Sequence, residues 1–327
     1  MKLRGAIAGC GFFAQFHIDA WRRMEDVELV AACDPDLARA EAAAPHAYRT
    51  IDELLDRHRL DFVDIATRPE THADLVRRVR VPVICQKPMA PTLAEALTMA
   101  SHPRLMIHEN WRWQPWYRQI KTRLDAGETG DPVTYHFRIR KRDGAGAEPY
   151  QAQPYFRSMP RLLIHETMVH PIDTARFLFG NLRSISARIR RRNPIIAGED
   201  TCQLVLEHAS GLAGIADGNR FVDLAPDSPP LGDAEFEGER GVLRVEATGD
   251  VTRNGELVWR NEVRTGYRGD SVLATQRHFI DCLRRDAPFE TSAADYLASF
   301  AAVEAAYRSA AESGRAVAAG PPESLAS

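Results

Sequence analysis

Gly9-Cys10-Gly11-Phe12-Phe13-Ala14 follows directly on the apolar run Leu3–Ala8. G-x-G-x-x-A at the end of a strand is the turn by which a chain leaves a parallel sheet and opens a helix against a pyrophosphate. Gly9 permits the tight turn, Gly11 lets backbone approach a phosphate, and Ala14 keeps the helix close to the sheet. The helix start, with Phe12 and Phe13 at its mouth, offers unpaired N–H groups and a positive dipole end to the anion. Such a turn is common by itself, and its context makes it specific. A second strand, Val27–Cys33, ends on Asp34, 25 residues after Gly9, where a carboxylate accepts hydrogen bonds from an adenosine ribose. That charge repels a 2′-phosphate, so the expected dinucleotide is NAD rather than NADP.

Working outward, short apolar runs at 3–8, 27–33, 62–66, 83–85 and 105–108 alternate with helical patterns near 14–24, 36–43, 51–58, 70–78 and 92–100. This alternation predicts an α/β Rossmann domain, a doubly wound parallel sheet whose ligand edge lies at the carboxyl ends of its strands. Gly9, Asp34, Thr67, Lys87 and Asn110 all fall at such strand ends. From about residue 132 the texture changes to successive strand signals at 133–141, 182–190, 201–207, 211–217, 234–237, 242–246, 250–253 and 257–259. These predict an antiparallel meander, hence an α+β second domain with a large, mainly antiparallel open sheet. A helix ending on Gly180 interrupts it, two more close the chain, and the tail after Ala316 is expected to fray. The domains expected are residues 1–120 for NAD and 121–327 for substrate and oligomerisation.

The 327 residues suffice for two cores, and 44% hydrophobic and 27% charged residues are ordinary for a globular protein. A net charge of −3 gives no reason to expect a nucleic-acid partner. The basic runs Arg138–Arg142 and Arg188–Arg192 read as solvated strand faces and ends. Five cysteines without a C-x-x-C pair suggest free thiols in a reducing compartment. No run approaches a membrane span, glycines interrupt the apolar stretch 5–13, and no A-x-A-like cleavage site follows it, so a cytoplasmic protein is expected.

Lys87, in Gln86-Lys87-Pro88 after the fourth of these strands, is placed to bond a substrate hydroxyl and stabilise developing negative charge. Glu166, His170 and Asp173 are spaced i, i+4, i+7 and share one face if helical, which would let the carboxylate orient the imidazole as a general base. Pro171 leaves a second possibility open, a helix that starts near His170 with Glu166 in the preceding loop. His165-Glu166 to His170 is not H-E-x-x-H, and no metal is expected. In Asn110-Trp111-Arg112-Trp113, Asn110 is a candidate for the nicotinamide side, and Trp113 for the wall of a sugar site or for packing. Thr67 is a candidate cofactor contact, while His17 and His72 read as structural.

Together these pieces resemble the glucose-fructose oxidoreductase, inositol dehydrogenase and rhizopine-catabolism (Gfo/Idh/MocA) family. The matching motifs are Gly9-x-Gly11-x-x-Ala14-x-x-His17, Asp34, Thr67 to His72, Lys87-Pro88, Asn110-x-Arg112 and His170-x-x-Asp173. The resemblance implies hydride transfer between bound nicotinamide and a sugar or polyol, in a homodimer or homotetramer. Lys87, His170 and Glu166 are the catalytic candidates, and Asp173 either contacts substrate or caps the helix. Two departures stand out. Gln86 replaces the acid of the usual E-K-P, and Glu166-Thr-Met168-Val-His170-Pro-Ile-Asp173 replaces D-x-G-x-H-x-x-D. The stretches 85–92, 108–115 and 153–160, the last containing Arg157 as a substrate candidate, are similar to a D-apiose dehydrogenase branch. The expected activity is NAD-dependent oxidation of an aldose, a D-apiose-like pentose, at its anomeric carbon to the lactone. An inositol or polyol dehydrogenase, a glycosidase that recycles NAD, and a non-catalytic sugar sensor are the alternatives.

Overall fold

A computed structural model describes residues 2–224 and 230–320. The first compact unit comprises Met1–Asn110 and Thr265–Leu297; the second comprises Trp111–Arg264 and the chain from Ala298 onward. Both are discontinuous, whereas the sequence suggests one cut at residue 120.

The first unit runs β1 (Leu3–Ala8), α1 (Ala14–Arg22), β2 (Val27–Cys33), α2 (Leu37–Ala43), β3 (His46–Tyr48), α3 (Ile51–Arg57), β4 (Phe62–Ile65), α4 (Pro69–Arg78), β5 (Val83–Gln86), α5 (Leu93–Met99) and β6 (Leu105–His108). The strands pair in parallel in the order β3-β2-β1-β4-β5-β6, the doubly wound order of dinucleotide-binding sheets. β4, β5 and β6 are buried at every position, the reason they read as continuous apolar runs rather than alternating ones. Gly5 makes room for Phe62, whose ring would lie 2.1 Å from a Cβ there. The segment from Thr265 returns to finish this unit. Ile107 N–H donates to the Thr291 carbonyl at 2.8 Å, and the Thr291 hydroxyl donates to the Ile107 carbonyl at 2.6 Å, so the β6 edge is covered.

The second unit contains α6 (Pro115–Asp125), β7 (Pro132–Arg140), α7 (Val169–Phe179), β8 (Leu182–Arg190), β9 (Thr201–His208), β10 (Ala213–Asn219), β11 (Gly232–Gly238), β12 (Gly241–Val245), β13 (Val251–Arg253) and β14 (Glu256–Trp259). Then come α8 (Ser271–Arg285), which belongs to the first unit, α9 (Ala293–Ala311), which is counted with the first unit up to Leu297 and with the second from Ala298, and β15 (Val317–Ala318) in the second. The sheet order is β14-β13-β12-β11-β7-β10-β9-β8-β15. It is not the simple meander expected, because β7 and β10 pair in parallel at its centre while the other pairs are antiparallel. Nor is the whole tail after Ala316 frayed: Val317 and Ala318 pair with Ile185 and Ser184. The rest of that expectation, residues 321–327, lies outside the described residues.

Tyr135, Phe137 and Phe236 fill the buried face of the sheet. On the other face the expected solvated arginines are ion-paired: Arg138 with Asp233, and Arg140 with Asp217, which also meets His136 at 2.5 Å. All five cysteines are free and buried. Burial pushes the Cys10 and Cys33 thiols up to about 12, which makes them inert packing groups. Among the described residues no helix is long and apolar enough to cross a membrane.

Candidate functional site

In the first unit the candidate residues collect at the carboxyl ends of the strands. Gly9 has φ +87°, and a Cβ there would stand 2.7 Å from Thr67 Cγ2 and 2.9 Å from the Ala66 carbonyl carbon. Glycine is therefore required twice over, by conformation and by space. Gly11 differs: a Cβ there would meet nothing within 4 Å. Ala14 is buried among Ile7, Ile18, Ala32 and Ala40, which holds α1 against the sheet. No side chain caps the N-terminus of α1. Phe12 is 56% exposed, while Phe13 packs edge-on against Tyr267 at 5.1 Å.

Asp34 is 9% exposed. Its Oδ2 accepts from Cys10 N–H at 2.8 Å and its Oδ1 from Asp36 N–H at 2.9 Å. The carboxylate ties the glycine turn to the loop after β2, and each oxygen retains acceptor capacity. The Thr67 hydroxyl accepts from Thr71 at 2.7 Å. His72, fully buried, lies between the Thr67 carbonyl at 3.2 Å and the Met89 carbonyl at 3.1 Å, linking the loops after β4 and β5. Burial holds this imidazole below its ordinary pKa. Half-buried Lys87 precedes a cis peptide bond to Pro88, and its backbone N–H donates to Gln86 Oε1 at 2.6 Å. Asn110 is buried, and its amide nitrogen donates to Ser271 Oγ at 3.2 Å. Its nitrogen is thus engaged by the start of α8, which the nicotinamide expectation did not foresee.

In the second unit, Leu163–Met168 forms a π-helical turn that runs straight into α7. Glu166 is therefore neither on the regular helix nor in a loop. It lies on a widened turn, of the kind that is frequent at functional sites, and the i, i+4 reasoning does not apply across it. Thr167 Oγ1 donates to Glu166 Oε2 at 2.7 Å, and Arg220 Nη1 donates to Thr167 Oγ1 at 2.9 Å. Arg220 also forms a bidentate pair with Asp143, both bonds 2.7 Å. Burial pulls Arg220 down, but the charges of Asp143 and Glu166 outweigh it and raise its pKa. Met168, where the family pattern has glycine, is buried against Gly218 of β10; a Cβ at 218 would stand 2.7 Å from its sulfur. The extra side chain at 168 is thus accommodated by a missing one at 218.

His170 stacks on Trp111, with ring centroids 4.7 Å apart and planes 2° from parallel. Asp173 is expected either at the substrate or as a helix cap. It is 0% exposed. It accepts from Arg112 Nε at 2.7 Å and Nη2 at 2.8 Å, and from Ser299 Oγ at 2.6 Å. Burial works to raise this carboxyl, but Arg112, with help from Arg176 and Ser299, brings it below the usual carboxylate range. Asp173 anchors Arg112. Trp113 is buried under the Arg118 guanidinium, 4.9 Å from its ring centroid. Half-buried Arg157, on a 3₁₀ turn, donates to the Pro149 carbonyl at 2.7 Å.

The profile described as "Oxidoreductase family, NAD-binding Rossmann fold" matches residues 3–104, and the GFO/IDH/MocA C-terminal domain matches 117–244. The D-apiose dehydrogenase of Paraburkholderia graminis is 36% identical across 97% of this chain and 89% of its own length. The chain belongs to the Gfo/Idh/MocA family. The D-apiose dehydrogenase of Rhizobium rhizogenes is 34% identical across 97% of each chain. A crystal structure of an Agrobacterium radiobacter oxidoreductase in complex with NAD+, L-tartaric acid and magnesium superposes with a TM-score of 0.89, at 32% identity, covering 98% of this chain and 99% of that one.

As a Gfo/Idh/MocA member the chain is an oxidoreductase that uses NAD, and its own residues fit that cofactor. Gly11 leaves open space where a phosphate would lie, the start of α1 has no side-chain cap and would turn its N–H groups to that phosphate, and Asp34 would accept from ribose hydroxyls. Two residues, Tyr267 and Ser271, escaped the sequence reading, and Trp111 gave no sign of which ring it would stack on. Tyr267 and Ser271 arrive from far along the chain, and nothing local marks them as part of the first unit.

Proposed function

We propose that this protein oxidises the anomeric carbon of an aldose, D-apiose or a similar pentose, to the lactone. The observation that carries the reading is 34–36% identity to two D-apiose dehydrogenases over nearly the whole chain. The reaction removes a hydride from the anomeric carbon and a proton from its hydroxyl, leaving the lactone carbonyl. Bound NAD supplies the hydride acceptor. His170 accepts the hydroxyl proton, with its ring plane held by Trp111. Lys87 donates a hydrogen bond to the same oxygen and stabilises the negative charge that develops there. Glu166, held through Thr167, orients the imidazole. Trp113 and Arg157 serve the sugar, and Thr67, Phe12, Phe13 and Asn110 serve the cofactor side.

The test is a panel of aldoses and polyols scored for NADH formation. D-apiose or another pentose should give the highest kcat/KM. A response confined to inositols replaces this reading with that of an inositol dehydrogenase, and no NADH from any member points to a sensor or to internal NAD recycling. The exposed Val205 and Ile215, paired on the outer sheet face, support a homodimer or homotetramer, which light scattering after gel filtration checks. Five free cysteines support a reducing, cytoplasmic setting.

A further inference from the structure

A buried chain of hydrogen bonds reaches the backbone of Lys87, and its direction can be read. The Lys87 backbone N–H is a donor only, and it lies 2.6 Å from Gln86 Oε1. The oxygen of the Gln86 amide therefore faces Lys87, and Nε2 points inward. That nitrogen is 3.1 Å from His17 Nε2. An amide NH₂ only donates, so His17 Nε2 accepts and carries no proton. The ring proton is then on Nδ1, which donates to Asp64 Oδ2 at 2.8 Å. Trp21 Nε1 donates to the same oxygen at 2.7 Å. His17 and Asp64 are fully buried and Gln86 is buried, so water does not compete for these bonds.

Groups face His17 from each element packed around it. Asp64 comes from β4, Gln86 from β5, and the His108 ring from β6 at 4.1 Å between centroids. Phe13 and Trp21 lie beside it along its own helix, and Gln276 of α8 donates to its backbone carbonyl. Asp64 is the anion among these groups, and His108 the second titratable ring.

We propose that Gln86 and His17 are positioning residues for Lys87. The amide fixes His17 as its Nδ1–H tautomer, and the one-way chain Gln86→His17→Asp64 anchors the lysine backbone to α1, the helix that leaves the glycine turn. The inference rests on the role given above to Lys87. Glutamate at 86 could only accept, and would need a proton on both nitrogens of His17, an imidazolium between two carboxylates. Glutamine removes that requirement.

The test combines ¹⁵N NMR of His17 in the NAD-loaded protein with pH profiles of turnover. His17 should show the Nδ1–H tautomer. In Gln86→Glu the ring should be doubly protonated in acid, and kcat should acquire a new limb that falls as pH rises. In Gln86→Met, kcat should drop about 10-fold, the share of one lost hydrogen bond in positioning, with NAD affinity within about 2-fold of the original and a cooperative melt. An Nε2–H tautomer in the unmodified protein overturns the relay. So does an unchanged kcat in Gln86→Met. Lys87→Met is measured beside these: if it keeps full turnover while the Nδ1–H tautomer is observed, the reading of Lys87 is what fails.

Discussion

Asp34 takes its two hydrogen bonds from the backbone N–H groups of Cys10 and Asp36; Asp173 takes its own from the Arg112 guanidinium and the Ser299 hydroxyl. Both carboxylates are buried and both were candidates for ligand contact. The difference lies in what each has left over. Backbone donors in two short loops leave Asp34 at the surface of its turn with acceptor capacity to spare. A bidentate arginine and a hydroxyl enclose Asp173 entirely. The nucleotide-binding unit thus builds its site from local backbone geometry. The second unit builds its site from side chains brought together over long sequence distances, and spends one of its carboxylates on holding an arginine.

The sharpest way to break this comparison is through the chemistry assigned to each unit. Lys87→Met should lower turnover ~10²–10⁴-fold, the usual share of an acid–base group, with NAD binding by fluorescence titration unaffected. Full turnover in that variant would leave the nucleotide-binding unit with no chemical role.

Asp173→Ala should destabilise the protein by about 3–5 kcal/mol in chemical denaturation, because Arg112 is left buried and unpaired. The Asp173 carboxyl lies below its unfolded value, so its stabilisation is present at neutral pH and is lost as pH falls through the folded pKa. The gap between the original protein and the variant should therefore narrow in acid. A gap that stays constant would mean that the charge on Asp173 is irrelevant.

Asp34→Ala should weaken NAD binding by roughly 10–100-fold, the value of charged hydrogen bonds to a ligand, and should relax discrimination against NADP. If NADP is already preferred by the unmodified protein, the reading of Asp34 is wrong. The two glycines give the smallest and most selective contrast. Gly9→Ala should lower stability by about 1–2 kcal/mol, through its left-handed backbone and the crowding at Thr67 and Ala66. Gly11→Ala should change stability by less than about 0.5 kcal/mol yet weaken NAD binding, since its Cβ would enter the space reserved for phosphate. Equal melting temperatures for the two variants would erase the distinction between them.

Legibility followed sequence distance. The glycine turn, Asp34 and five of the six parallel strands could be read because each depends on residues within one turn or one strand. His46-Ala47-Tyr48 escaped because three residues at a sheet edge carry no periodicity. The parallel pairing of β7 with β10 escaped because register between distant strands leaves no local mark. The π-helical turn under Glu166 escaped because its spacing also fits a regular helix. Met168 looked like a disturbance only because its complement, Gly218, is 50 residues away.

The amino-acid sequence by itself determined that this chain opens with a dinucleotide turn, that an acid follows the second strand, and that a lysine and a histidine stand in the pattern of a sugar oxidoreductase. These features are carried by short-range backbone constraints, which a few residues can specify. Only the tertiary structure decided that Asp173 is an internal anchor, that Trp111 sets the plane of His170, and that Gln86 completes a directed chain through His17 to Asp64. Each of those roles depends on which donor meets which acceptor after folding. That choice is made by burial and long-range packing, where a polar group is compelled to take the partner the fold presents.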